Sequence, residues 1–197
     1  MPWIAKEGVE LYLNQSEMEN NATIFYNIFS TYGYTLESIA GMLGNIQQEC
    51  TINPALKQGA STELGWGLIQ WTPATELTSY ADEQGKNWTD GNLQCELINR
   101  EVLEGFGGRW LPTKDYPYSG EEFSKLTDVS ESCKAFLYER ERAGKPMLDY
   151  RLEYASNWYT FLRGKPPEPP EPPEPPEPPT PTKPKKMSIF LMLRRNF

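Results

Sequence analysis

The chain has 197 residues, a formal net charge of −8 and no histidine. Its length suits one ordinary domain with an additional segment, and its acidity argues against nonspecific binding of nucleic acid or anionic membranes. The absence of histidine excludes Ser-His-Asp and Cys-His catalytic sites and the usual zinc peptidases. Three cysteines without CxxC spacing predict neither a disulfide framework nor a zinc cluster, so we expect no metal and no cofactor.

Two helices are predicted in the first part of the chain. Ser16-Glu17-Met18-Glu19 fits a capping box with Ser16 as N-cap, and Gly33 ends the helix that follows. Thr35 opens a second helix, which must end before Asn53-Pro54 because a residue preceding proline avoids the α region. Glu49 is therefore expected on the last turn of this helix or just past it.

The rest of the first 164 residues is also predicted to be mostly helical. Residues 55–71 are glycine-rich, and we expect an irregular region with a short hairpin there. Thr72-Pro73 predicts the start of a helix that ends at Gly85. Further helices are predicted at 93–103, after Asp128 and at 147–162. The expected fold is a mainly α single domain at 1–164, and the family resemblance described below implies that it is lysozyme-like.

Proline dominates residues 165–186, which read KPPEPPEPPEPPEPPTPTKPKK. Because proline fixes φ and lacks an amide donor, we expect an extended polyproline II linker, with docking of its PxxP motifs to a partner as the alternative. Residues 187–197, MSIFLMLRRNF, are apolar and then basic, and are expected to dock to other proteins or to begin a further domain. We predict no membrane span and no signal peptide.

Glu49 is the candidate catalytic residue. Without histidine, a single carboxylic acid can still protonate a leaving oxygen, which is what glycoside cleavage requires. The helix C-terminus disfavours a negative charge and so helps the acid to keep its proton. By spacing alone, however, a glutamate that ends a helix is more often a solvated surface residue.

The glycine- and tryptophan-rich loop after Glu49 is the candidate sugar groove. Trp66 and Trp71 offer faces on which sugar rings stack, although core tryptophans are the alternative. Gln70 and Asn53 offer amides that hydrogen-bond hydroxyl or acetamido groups. We predict that these four residues bind the substrate.

The segments LESIAGMLGNIQQECTINPALKQG and LGWGLIQWTPATEL resemble the phage tail lysozyme family. Residues 136–162 resemble the final helices of the same family. These are lysozyme-like domains in tail-knob proteins of small podoviruses that infect Gram-positive bacteria. The resemblance implies cleavage of peptidoglycan glycan chains, with Glu49 as general acid and Gln70 in the sugar groove. Cys50 stands where the family has serine, and a thiol is a poorer hydrogen-bond partner for a carboxyl group.

The resemblance also implies a location and leaves several functions open. We expect synthesis in the host cytoplasm and action from the virion tail or in the host cell wall, with other tail proteins as partners of the C-terminal segment. A released lysis enzyme is a variant of this prediction. Hydrolysis is the preferred reaction, with Glu63 as the candidate second carboxylate. The alternatives are a lytic transglycosylase, a glycan-binding module without turnover and a structural tail component.

Overall fold

The computed structural model describes residues 1–165, which form a single, mainly helical domain. The predicted linker beyond Lys165 and the segment at 187–197 lie outside the described residues. In the described part, the α-helices are α1 (Gln15–Thr31), α2 (Leu36–Cys50), α3 (Thr75–Glu83), α4 (Gly91–Leu103), α5 (Gly120–Ser124), α6 (Val129–Phe136) and α7 (Leu148–Leu162). The other elements are a 3-10 turn at Phe106–Gly108, a π-helical turn at Leu137–Glu141 and two short parallel strands, β1 (Gly8–Val9) and β2 (Leu56–Lys57).

Helix α2 lies at the centre of the domain. It packs most extensively against α7 and α6, and most of its side chains are buried. Two glycines permit this packing. A Cβ on Gly41 would lie 2.7 Å from the backbone of Cys133 in α6, and a Cβ on Gly44 would lie 2.5 Å from the carbonyl oxygen of Arg151 in α7. The absence of side chains at both positions therefore lets two neighbouring helices approach the α2 backbone.

The N-terminal segment is fastened to the domain by asparagine side chains. Asn21 of α1 donates to the carbonyl groups of Ile4 and Ile52, at 2.8 and 2.9 Å. Asn53 bonds both the amide and the carbonyl group of Lys6, at 3.1 and 2.9 Å. Both asparagines are fully buried, so their amides satisfy backbone groups that irregular structure leaves unpaired.

The glycine-rich region contains the expected hairpin in a minimal form. Trp66 and Trp71 exchange two backbone hydrogen bonds, at 3.3 and 3.0 Å, and Trp66 also bridges to Lys57 of β2. Gly67 has a φ of 81°, a conformation that glycine adopts without the clash a Cβ would cause. The loop between the two tryptophans is thereby held as a tight turn over the domain.

Two predicted helix starts require correction. The capping box of α1 uses Asn14 and Glu17 instead of Ser16 and Glu19, because the Asn14 side chain accepts from the Glu17 amide and places Gln15 at the first helical position. Helix α3 begins at Thr75 instead of Pro73. The Thr72 hydroxyl donates back to the Gln70 carbonyl group, so it does not cap the helix. The predicted N-caps Thr35 and Asp128 are confirmed.

The region between α4 and α6 differs most from the prediction. Helix α4 begins at Gly91, two residues before the expected start, because the Asp90 side chain caps the amides of Asn92 and Leu93. The short helix α5 and the π-helical turn after α6 were not predicted. Both are single turns, which are too short to produce a recognisable apolar period.

Gly44→Ala should lower the free energy of unfolding by about 1–3 kcal/mol, because the added methyl group forces α2 and α7 apart. Urea unfolding followed by circular dichroism measures this loss. Gly164→Ala is the matched control, since a Cβ there meets no atom within 4 Å, and it should change stability by less than about 0.5 kcal/mol. Equal stability of the two variants would show that Gly44 is not required for helix packing.

Candidate active site

Glu49 lies on the last turn of α2, as predicted, and faces a cleft. The helix ends there because Thr51 adopts a left-handed backbone conformation with a φ of 52°. The Glu49 side chain keeps 21% of its surface exposed, so it is partly sheltered but reachable from the cleft.

The cleft has a volume of about 390 Å³ and contains both signs of charge. It lies between the end of α2, the loop after Trp66, the start of α3 and the chain that leaves the π-helical turn. The lining residues are Glu49, Gln58, Ile69, Gln70, Trp71, Thr72, Glu76, Arg109, Arg140, Glu141, Arg142, Ala143 and Gly144. A cleft of this size, open on one side and lined by polar groups, suits a polar ligand such as a sugar chain.

A buried arginine of α7 holds the Glu49 carboxylate in place. The Arg151 side chain is 2% exposed, and its Nη2 lies 2.5 Å from Glu49 Oε1. Its Nη1 donates to Asn45 Oδ1 at 3.0 Å, and its Nε donates to the carbonyl oxygen of Pro146 at 2.8 Å. A buried guanidinium needs such partners, because an unpaired charge in the interior is strongly unfavourable. Sequence reasoning missed Arg151, which is 102 positions from Glu49.

Gln70 is the predicted binding residue that the structure places on the cleft. Its Nε2 donates to the carbonyl oxygen of Gly67 at 2.7 Å, and its backbone has a φ of 48°. A Cβ on Gly65 would lie 2.8 Å from the Gln70 Cβ. Gly65 therefore allows the turn to pack closely around Gln70, which lines the same cleft as Glu49.

Asn53 and Trp71 do not have the surroundings that the sequence predicted for them. Trp71 borders the cleft but is only 1% exposed, and its indole N–H donates to Glu101 at 2.9 Å. Asn53 is fully buried, and its amide is occupied by Lys6 and Leu11 of the N-terminal segment. Neither side chain offers a surface to a sugar ring, so their predicted contact with substrate is corrected to a structural position.

Trp66 and Glu63 lie away from the cleft lining. Trp66 is 8% exposed, donates from its indole N–H to the Gly59 carbonyl oxygen and packs on Trp88 at a ring distance of 5.0 Å. Glu63 is exposed on the loop before it, and its amide bonds the Ser61 hydroxyl. Neither Trp66 nor Glu63 is among the residues that line the cleft with Glu49, so the structure adds no support for the predicted role of either.

Comparison with known sequences identifies the family. Residues 20–162 match the sequence model described as phage tail lysozyme. The chain belongs to the phage tail lysozyme family. It is also 36% identical over 158 residues to a protein named "Morphogenesis protein 1" from Bacillus phage B103. That match covers 78% of this chain and 42% of the relative, so the chain spans less than half the length of the relative.

The π-helical turn brings a further carboxyl group to the cleft. Glu141 is the last residue of the turn and lines the cleft together with Glu49. Its Oε1 is buried and has no hydrogen-bond partner among the described residues. Burial and the nearby Glu49 carboxylate raise the pKa of Glu141. Sequence reasoning missed it because alternating glutamate and arginine in ERER usually indicates a solvated helix face.

Glu139, on the same turn, is directed into the domain. It is fully buried, and its Oε1 accepts a hydrogen bond from the Tyr118 amide at 3.2 Å. Burial raises the pKa of Glu139 to about 7. The two acidic residues of this turn lie in different surroundings because residues two positions apart on a helix do not share a face.

A second buried ion pair supports the opposite side of the cleft. Arg140 contacts Glu101 of α4 through Nε at 2.8 Å and through Nη2 at 2.7 Å. Both side chains are less than 10% exposed, and the same carboxylate accepts from the Trp71 indole. Burial raises the pKa of Glu101, whereas the Arg140 charge opposes that change. The pair connects the π-helical turn to α4 and to the hairpin.

Residues 1–165 contain no cluster of three or more His, Cys, Asp or Glu side chains that could hold a metal ion. Within the same part of the chain, each helix is too short or too polar to span a bilayer.

Glu139→Gln should remove a pH-dependent loss of stability. From about pH 5 to 7, glutamate in the unfolded chain releases its proton while folded Glu139 keeps it, so wild-type stability falls as pH rises. The variant should therefore become more stable relative to wild type by about 2 kcal/mol over this range. Urea unfolding at several pH values measures the difference. Glu63→Gln, at an exposed position, is the control, and its stability relative to wild type should not change with pH. If the stability of Glu139→Gln relative to wild type were equally independent of pH, the raised pKa of Glu139 would be contradicted.

Proposed function

We propose that this chain cleaves the glycan strands of peptidoglycan, with Glu49 as the general acid. The observation that supports this proposal is the position of Glu49, on the last turn of a central helix at the edge of a polar cleft. Membership of the phage tail lysozyme family independently supports a lysozyme-like activity. In glycoside cleavage, a carboxylic acid gives its proton to the oxygen that leaves the anomeric carbon.

The surrounding residues fit this role. Arg151 fixes the Glu49 carboxyl group by a short contact and is itself held by Asn45, so the acid has one defined orientation. Gln70 is half-buried on the cleft and offers an amide to a hydroxyl or acetamido group of the sugar chain. Fixed orientation of an acid relative to its substrate accounts for much of the rate enhancement in such sites.

The proposed setting is the tail of a phage that infects a Gram-positive host. The family is described as phage tail lysozyme, and the relative is named a morphogenesis protein of a Bacillus phage. A virion-borne enzyme of this kind opens the cell wall locally before DNA entry. The C-terminal segment at 187–197 remains the proposed contact with other tail proteins, and its structure lies outside the described residues.

Glu49→Gln should abolish the lysis of purified Gram-positive cell walls. The amide oxygen of glutamine can still accept from Arg151, so the fold should be retained, although with lower stability because the buried charge loses its carboxylate partner. The proton donor is lost. Loss of a general acid lowers the rate by about 10²–10⁴-fold. The turbidity of a wall suspension measures the rate, and thermal unfolding checks the fold. Glu63→Gln, which changes an exposed residue outside the cleft lining, should lyse walls like wild type.

Retention of more than about a tenth of the wild-type rate by Glu49→Gln would remove Glu49 from the catalytic role. Loss of activity in both variants would show that the assay reports a general effect of changed surface charge.

Digestion of peptidoglycan should give the products of hydrolysis. Hydrolysis leaves reducing ends on the muramic acid residues, whereas a transglycosylase closes a 1,6-anhydro ring and leaves ends that lack one water. The second route needs only one carboxyl group. Glu49, Glu76 and Glu141 line this cleft, and because Glu76 is paired with Arg109, Glu141 is the second carboxyl group available, which favours attack by water. Mass spectrometry of digested peptidoglycan distinguishes the products. Digests that contain only anhydro ends would establish the transglycosylase alternative.

A further inference from the structure

We propose that Glu141 holds the proton that Glu49 delivers to the glycosidic oxygen. This inference rests on the proposed role of Glu49. Before substrate binds, Glu141 carries this proton. Glu141 acts through Glu49 and does not itself contact the leaving oxygen.

The first argument is that an arginine side chain pairs with Glu49 but none pairs with Glu141. Arg151 is within 2.5 Å of Glu49 and uses its other donors on Asn45 and Pro146. Arg140, the residue next to Glu141, is turned to Glu101 and contacts it through two nitrogens. Arg142 follows Glu141 and also lines the cleft, but no ion pair among the described residues includes Glu141. The ionised form of Glu141 would therefore have no paired cation.

The second argument is the environment of one oxygen of Glu141, a half-buried residue. Oε1 is buried and accepts no hydrogen bond from the described residues. A carboxylate in such a position lacks the donors that normally replace its hydration, whereas a protonated acid avoids that cost. Burial and the negative charge of Glu49 accordingly raise the pKa of Glu141, although the positive charges of Arg140 and Arg151 oppose this effect.

The charged groups around Glu141 come from several elements. The complete set near it or on the same cleft is Glu49, Glu76, Glu101, Arg109, Arg140, Arg142 and Arg151. Arg109 is paired with Glu76, and Arg140 with Glu101, so these four charges largely cancel in pairs. The negative charge of Glu49 therefore acts on Glu141 without a cation paired to Glu141, and a proton on Glu141 relieves this repulsion.

The proton balance of one turnover closes within the pair. Glu141 gives its proton to the Glu49 carboxylate, and Glu49 gives a proton to the leaving oxygen as the glycosidic bond breaks. Both groups are then ionised, with Arg151 beside Glu49. Water adds to the anomeric carbon and releases one proton to the pair, which restores the initial state.

The decisive measurement is the pH profile of cell-wall lysis by Glu141→Gln, relative to wild type at each pH. Because glutamine holds no exchangeable acid proton, Glu49 must then take its proton directly from solvent. A general acid must be protonated, so the variant should lose activity at lower pH than wild type does. We expect at least about a tenfold loss near pH 7 and recovery towards wild type near pH 4–5.

The matched control is Glu139→Gln, which changes a buried acid on the same turn that does not line the cleft, and its profile should follow wild type. A Glu141→Gln profile equal to wild type, or reduced by the same factor at all pH values, would overturn the proposal. Glu49→Gln separates the two hypotheses. Its inactivity at every pH together with a wild-type profile for Glu141→Gln would retain Glu49 as the acid and reject only the role of Glu141.

A direct titration tests the proposal even if Glu141→Gln fails to fold. In Glu139→Gln protein labelled with ¹³C at glutamate carboxyl groups, one resonance should still titrate well above the usual range of about pH 4–5. That resonance should move to lower pH when Glu49→Gln is added, because the neighbouring negative charge is removed. The absence of any such resonance in Glu139→Gln, or its insensitivity to Glu49→Gln, would overturn the proposal.

Discussion

The buried guanidinium of Arg151 is the interaction on which the arrangement of the site depends. It joins α7 to α2 at two positions one helical turn apart, Asn45 and Glu49. A charge in this position is tolerated because it meets a carboxylate and two further acceptors, and loss of any partner would leave it uncompensated. The same contact that holds the two helices together therefore also aims the carboxyl group at the cleft.

Backbone packing explains why Arg151 can reach both partners. Gly44 precedes Asn45, and its missing Cβ lets the α7 backbone approach α2 closely at the carbonyl group of Arg151 itself. A bulkier residue would displace α7 outward and carry the guanidinium away from Glu49. The GMLGN segment is thus a packing motif on one side and a positioning motif on the other. This double use connects the hydrophobic core of the domain to the geometry of a surface cleft.

Local sequence signals predicted those features that depend on neighbouring residues. Asn53-Pro54 limited the length of α2, and this placed Glu49 correctly on its last turn. The same signals failed for Trp71, whose burial depends on Glu101 across the fold. A tryptophan beside a glycine-rich turn has the same local sequence whether it faces a sugar or a core carboxylate. Only the tertiary structure decides between the two.

The second carboxyl group illustrates a different limit of sequence reasoning. Glu63 was the candidate because it is near the loop in sequence, but proximity along an irregular segment does not determine which way its side chains face. Glu141 is 92 positions from Glu49 and reaches the cleft because a π-helical turn shifts its register relative to α6. An α-helical continuation would rotate each later residue by a different amount and change which acid meets the cleft.

The distribution of the site along the chain also determines how much of the chain is needed. Glu49, Gln70 and Glu141 come from α2, the hairpin and the π-helical turn, and Arg151 comes from the last helix. The family match extends from residue 20 to residue 162, so it includes all four. No shorter segment can bring Arg151 to Glu49, because the contact requires α7 packed on a complete α2. Formation of the site is therefore coupled to the folding of the whole domain, and a weakened contact between α2 and α7 would disturb the acid before the cleft itself is lost.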